Sequence, residues 1–173
     1  PILSNVLVYF YDFLSNYFIY RLRREILSMV KENVNKKAVL DVYKNAHIAL
    51  QSLNDLIPSV SDKDLKNELK AQVDGYTEVI NEVKAYLKKK RIKEQDIGVL
   101  KKAMLWGSIK MNTLFNASRN HIAEIMVKGT NMGVIELTAM KNEKENFNED
   151  VVALIDRLLE LEEKYAERLK KYL

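Results

Sequence analysis

The sequence has no cysteine and very little proline or glycine. Its 173 residues include two prolines and five glycines, about a third of the ~12% that these two residues usually make up together. The missing cysteine excludes a disulfide framework, a thiolate metal site and a cysteine nucleophile. The scarcity of turn formers excludes a strand-rich sandwich with many tight turns. The sequence therefore predicts an all-α fold.

The chain also lacks a dominant block of one charge. The net charge of +4 is spread along its length, and the densest basic run is residues 88–91 with Lys93. Nucleic-acid binding by this run is one alternative, and it predicts an affinity that falls steeply with salt. The run follows a helical pattern, however, and cations stabilise the negative end of a helix dipole. We therefore favour a solvated helix end and expect no nucleic-acid partner.

Helical periodicity predicts a hairpin in the first half of the chain. Residues 36–57 carry apolar side chains at intervals of three and four, and Pro58 ends this pattern. Ser61 is the predicted cap of a second helix of roughly 27 residues, with Asp64 as the acid of a capping box. The apolar stripe of this helix runs from Leu65 to Leu87. The short loop between the two helices requires an antiparallel arrangement.

Two further helical segments complete a predicted antiparallel four-helix bundle over residues 29–173. The third segment runs from a cap at Asp96 to about Met140, which is too long for one helix of the bundle. We expect it to break at residues 107–108 or 129–133, where glycines occur. Asn148 is the predicted cap of the last helix, which has acidic residues in its first turn and basic residues in its last. The apolar stripe of this helix runs from Val151 through Leu161 to Tyr172.

Helical bundles usually hold metal through Glu-x-x-His pairs, and the sequence has none. His121 and Glu124 form a His-x-x-Glu instead, and three further acids are candidates to face them: Glu78, Glu82 and Glu136. A degenerate iron, manganese or zinc site built from these residues is the metal-binding alternative. The interpretation we favour is that the imidazole and the carboxylate satisfy each other or a neighbouring helix, without a cofactor.

Gly129 and Gly133 have the small-x-x-x-small spacing that lets two helices approach closely. A kink or a tight helix crossing is the first interpretation of this segment, and a ligand or partner contact that includes Met132 is the second. The glycines fit neither a Walker loop nor a dinucleotide fingerprint, and no Gly-x-Ser-x-Gly occurs. Nucleotide binding by those motifs and serine catalysis are therefore not predicted.

Two sequence blocks between residues 36 and 173 resemble the ferritin-like bundle proteins of unknown function found in bacteria. The first block consists of residues 39–46, 53–54 and 62–66. The second and more distinctive block consists of residues 109–114, 118–126 and 129–133. The resemblance implies a ferritin-like fold and brings no activity with it. His121 and Glu124 are the only residues here that correspond to metal ligands of true ferritins.

These observations favour a protein without catalytic activity that acts through self-association or a protein partner in the cytoplasm. The positive feature is a methionine-rich third segment with close-approach glycines, which would serve as a docking seam. The alternative from another class is the degenerate metal-binding protein, with a possible oxidase activity. Elemental analysis of the purified protein separates the two hypotheses.

Residues 1–28 are predicted to lie outside the functional domain, because they hold seven of the fifteen aromatic residues. The preferred interpretation is translated upstream sequence with the true start at Met29, since residues 23–25 can be encoded by a ribosome-binding purine run. A membrane anchor with residues 21–24 on the cytoplasmic side is a second alternative. A helix that packs on the bundle through Val6, Phe10, Phe13 and Tyr17 is the third.

Overall fold

The computed structural model describes residues 2–92 and 118–173, with side chains from residue 17 onward. Within these residues the fold is all-α, as predicted. It has four α-helices, which we number α1 (Ile2–Leu56), α2 (Lys63–Lys89), α3 (Arg119–Asn142) and α4 (Glu149–Leu169). Short 3-10 turns follow α1 and α4 and join α3 to α4.

Helix α1 is 55 residues long, so it extends far beyond the predicted helical stripe of residues 36–57. No glycine or proline lies between residues 2 and 57, and nothing in the local sequence therefore stops the helix. The apolar stripe marked the buried part of α1, which begins near Asn35, whereas residues 17–33 are all exposed. The end of the helix is as predicted, because α1 stops at Leu56 and Pro58 lies in the following 3-10 turn.

Helix α2 has the predicted length of 27 residues, but its cap lies one residue later than expected. The carboxylate of Asp62, not the hydroxyl of Ser61, accepts a hydrogen bond from the Leu65 amide at 2.8 Å. This bond is also the main reason why the pKa of Asp62 is lowered. Lys88 and Lys89 occupy the last turn of α2, as predicted from the helix dipole.

Helix α3 begins at a cap, Ser118, that lies inside the predicted third segment. The Ser118 hydroxyl accepts a hydrogen bond from the His121 amide at 3.4 Å, and serine is among the preferred residues at this position. The helix then continues through both glycines to Asn142, so the predicted break at residues 129–133 is wrong. The predicted cap at Asp96 and the alternative break at residues 107–108 lie outside the described residues.

Helix α4 begins after Asn148, as predicted, but the Asn148 side chain makes no capping bond. The backbone amide of Asn148 donates instead to the Asn35 Oδ1 atom of α1 at 2.7 Å. The Asn35 Nδ2 group donates to the Lys31 carbonyl at 2.6 Å, which fixes the orientation of this buried amide. A side chain from α1 thereby stabilises the start of α4.

Ion pairs at both ends of the core define the helix directions. Lys89 pairs with Asp150 at 3.3 Å, and Arg168 pairs with Glu68 at 2.6 Å, so α2 and α4 are antiparallel. Arg119 at the start of α3 pairs with Asp62 at the start of α2, at 3.5 Å. Helices α2 and α3 therefore run in the same direction, and the end of α2 lies at the opposite end of the core from the start of α3.

One apolar core joins all four helices. The predicted stripe of α4 is buried from Val151 to Leu169, and most of the α2 stripe from Leu65 to Leu87 is buried with it. Burial of such stripes is the main favourable term in folding. Across the described part of the chain, no helix has both the length and the apolar character needed to cross a bilayer.

Candidate functional site

The His121–Glu124 pair lies on the surface of α3. His121 Nδ1 is 3.8 Å from Glu124 Oε2, and about half of each side chain is exposed. Lys128, one turn further along, binds the same carboxylate at 2.5 Å. The hydrogen bond from Lys128 is the largest cause of the lowered pKa of Glu124. The pair is thus part of an exposed charge network along one side of the helix.

The other predicted metal ligands do not join this pair. Glu78 and Glu82 of α2 both contact Arg157 of α4, at 3.0 and 3.5 Å, and Glu136 lies further along α3 at the edge of a cavity. Among residues 2–92 and 118–173, no three metal-ligating side chains come together. Metal binding therefore stays an alternative prediction, and the described part of the chain holds no site for it.

His47, the second histidine, is a partly buried residue of α1. Its ring meets the Tyr43 ring edge-on at a centroid distance of 4.3 Å, and its Nε2 atom is buried without a hydrogen-bond partner. Burial is the first cause of its lowered pKa, and the charge of Lys84 is the second. Such a histidine stays neutral at physiological pH.

The two glycines of α3 have different surroundings. A Cβ atom on Gly129 would meet nothing within 4 Å, whereas a Cβ atom on Gly133 would lie 2.3 Å from the Glu162 Oε2 atom. Met132 between them is 64% exposed. Close approach is therefore found at Gly133 only, where α3 passes over a carboxylate of α4.

A cavity of about 280 Å³ lies beside this crossing, and residues from all four helices line it. Most of its wall is apolar. The polar side chains that line it are Asn45 and Ser52 of α1, Tyr76 of α2, Thr130 and Glu136 of α3, and Glu162 of α4. Gly129, Met132 and Glu136 are exposed at its rim, so the cavity is open to solvent between α1 and α3.

Glu162 is the unusual group of this cavity, because its side chain is buried and only 3% of the residue is exposed. Burial raises its pKa to about 8, the nearby charge of Glu136 also raises it, and a hydrogen bond with Tyr76 opposes both effects. A carboxyl group with this pKa is mainly protonated at pH 7. It can therefore donate as well as accept a hydrogen bond.

Tyr76 of α2 forms the hydrogen bond with Glu162. Its ring is buried and meets the Tyr165 ring edge-on at 5.4 Å, and burial raises its pKa well above the ordinary value. Gly75 lets α2 come this close, because a Cβ atom there would lie only 2.0 Å from the Tyr165 hydroxyl. Neither Gly75 nor Tyr76 was among the predicted site residues.

The signal for Glu162 was present in the sequence. Glu162 lies four residues after Leu158 and three before Tyr165, which places it on the buried stripe of α4. A charged residue at a stripe position marks a buried polar site. The predicted stripe runs through the neighbouring residue Leu161, so Glu162 was not predicted as a site residue.

Compared with known proteins, the chain matches no family model. Searches of the curated proteins and of the solved structures also find no match. The candidate site is therefore interpreted from its own chemistry.

Proposed function

We propose that this chain is a ferritin-like four-helix bundle that acts in the cytoplasm by self-association through the exposed segment of α1, residues 17–33. The observation that supports this proposal is the number of large apolar side chains on this segment, each between 42% and 66% exposed. They are Tyr17, Phe18, Ile19, Tyr20, Leu22, Ile26, Leu27, Met29 and Val30. Exposed apolar surface on this scale is typical of an interaction site.

The spacing within the segment favours a second copy of this chain as the partner. Ile19, Leu22, Ile26 and Met29 occupy alternating a and d positions of two heptads, and Asn33 follows at the next a position. Isoleucine at a with leucine at d favours a parallel pair of helices, and one asparagine at a fixes its register. This pattern supports a parallel dimer around α1.

The charges beside this stripe are compatible with a parallel pair. In parallel helices a g position faces the e position five residues further along the partner. Glu25 then faces Val30, and Phe18 faces Arg23. No like charges meet across the seam, while Arg21, Arg24 and Ser28 lie on the opposite side of the helix, toward solvent.

The helix directions support the ferritin-like part of the proposal. α1 and α4 run in one direction and α2 and α3 in the other, as the contacts Asn35–Asn148 and Asp62–Arg119 require. Bundles of the ferritin type have one long crossover connection, and the chain between the end of α2 and the start of α3 likewise has to pass from one end of the core to the other. The fold alone does not assign an activity.

Sedimentation equilibrium of the full chain tests the proposed dimer. We expect a mass twice the 20.1 kDa of one chain. Ile26→Glu places a charge in the seam and is expected to give a monomer, whereas the matched control Ser28→Glu, on the opposite side of the same turn, stays dimeric. A monomeric wild-type chain at high concentration contradicts the proposal, and so does a dimer that both variants leave intact.

A further inference from the structure

The wall of the cavity around Glu162 has acidic groups and no basic group to pair with them. Its lining contains two carboxyl groups, Glu162 at the base and Glu136 at the rim, and no lysine, arginine or histidine among the described residues. No positive group contributes to the pKa of Glu162, while Glu136 raises it. The wall therefore offers no positive charge to pair with an ionised Glu162, and a bound cation would supply one.

The wall of the cavity indicates what kind of cation fits. Isolated metal ions need several oxygen or nitrogen ligands, and the described residues bring no three such acidic or histidine side chains together. The remaining surface is supplied by apolar side chains such as Ile48, Ala49, Ile125 and Met126. A pocket of this kind suits a ligand with an apolar body and one polar group.

We propose that this cavity binds a small organic ammonium ion, with its apolar body between α1 and α3 and its charged group against Glu162 and Glu136. The ammonium N–H groups donate to the Glu162 carboxylate. The volume of about 280 Å³ is near the lower limit of ordinary ligand pockets, about 300 Å³. Entry is between Gly129 and Glu136, at the exposed rim.

Binding is coupled to a proton. At pH 7 the Glu162 O–H bond breaks, the proton goes to the buffer, and the carboxylate pairs with the ammonium ion. The titratable groups that face Glu162 are Tyr76 from α2 and Glu136 from α3, while α1 contributes uncharged Asn45 and Ser52. Tyr165 of α4 has a raised pKa and stays protonated, so Glu162 is the group that releases the proton.

Isothermal titration of the full chain with three probes tests the proposal. Phenethylammonium, phenethyl alcohol and phenylacetate share an aromatic body and differ in charge. We expect phenethylammonium to bind most tightly, by about tenfold or more over the alcohol, and phenylacetate not to bind. Repeating the titration in buffers of different ionisation enthalpy is expected to show about one proton released per bound ammonium ion at pH 7.

Two variants locate the site. Glu162→Gln keeps the shape of the side chain, and we expect it to weaken phenethylammonium binding by about tenfold or more and to abolish proton release. Glu124→Gln, an exposed carboxylate of α3 outside the cavity, is the matched control and is expected to bind as the wild type does. Equal binding of amine and alcohol, unchanged binding to Glu162→Gln, or no phenethylammonium binding at all each overturns the proposal.

Discussion

A glycine and a carboxylate lie on each side of α3, in opposite surroundings, and the inward carboxylate comes from α4. The outward side carries Glu124 beside His121, and it carries Gly129, which faces open space. The inward side carries Gly133, pressed against the buried carboxylate of Glu162. The pKa of the exposed Glu124 is lowered by Lys128, whereas burial raises that of Glu162. Surroundings, not residue type, decide which carboxylate has unusual chemistry.

The largest expected effect of this difference is on the pH dependence of stability. Glu162 binds its proton more tightly in the folded chain, with a pKa of about 8, than in the unfolded chain, near 4.5. Stability is therefore fully retained below pH 4.5 and falls as the pH rises toward 8, by about 1.4 kcal/mol per pH unit at the steepest. The total loss is on the order of 5 kcal/mol.

Urea unfolding between pH 5 and 9 measures this loss, and Glu162→Gln is expected to remove it. The comparison with the variant is needed because His47 acts in the other direction. Its lowered pKa makes stability rise with pH up to about 6.5, in both proteins alike. Parallel stability profiles of the wild type and Glu162→Gln would show that Glu162 is hydrated and ordinary.

The second effect separates the two glycines. Gly133→Leu forces a branched side chain into the space of the Glu162 carboxylate, and we expect it to lower the free energy of unfolding by about 2 kcal/mol or more. Gly129→Leu, one turn earlier, enters open space and gains helix propensity, so its stability is expected to stay equal or increase. Thermal unfolding of both variants decides the matter, and equal melting temperatures would contradict the close approach at Gly133.

The smallest effect is expected on the outward side. His121→Ala removes an exposed side chain, and we expect a change in stability within about 0.5 kcal/mol. Because His121 and Glu124 have no third metal-ligating partner in the described part of the chain, added Zn²⁺ should not raise the melting temperature. A zinc-dependent rise that disappears in His121→Ala would restore the metal-binding alternative.

Much of the fold was readable from the sequence, because helical stripes record burial directly. The stripes of α2 and α4 and the end of α1 before Pro58 were predicted correctly. The start of α1 was not predicted, because a helix can continue beyond its buried part when no residue stops it. The role of Asn35 at the start of α4 was unreadable, since it depends on a contact between residues 113 positions apart.

The candidate site was less predictable for a physical reason. Motif analysis selects residues by chemical type and spacing. It selected His121 and Glu124, which lie on the exposed side of α3, and also Gly133 and Glu136, which line the cavity. Glu162 matches no motif, and its pKa depends on Tyr76 and Glu136 from two other helices. A carboxylate on an apolar stripe was the available signal, and weighing it requires knowing which helices meet there.

The bond between Asn35 and Asn148 also has a consequence for the order of folding. The turn between α3 and α4 is short, so these two helices can pair after closing a small loop, at little entropic cost. The Asn35 contact closes a loop of more than a hundred residues, and long-range contacts of this kind slow folding. The turn between α1 and α2 is short as well, so the first turn of α4 is completed only when the α1–α2 pair and the α3–α4 pair come together.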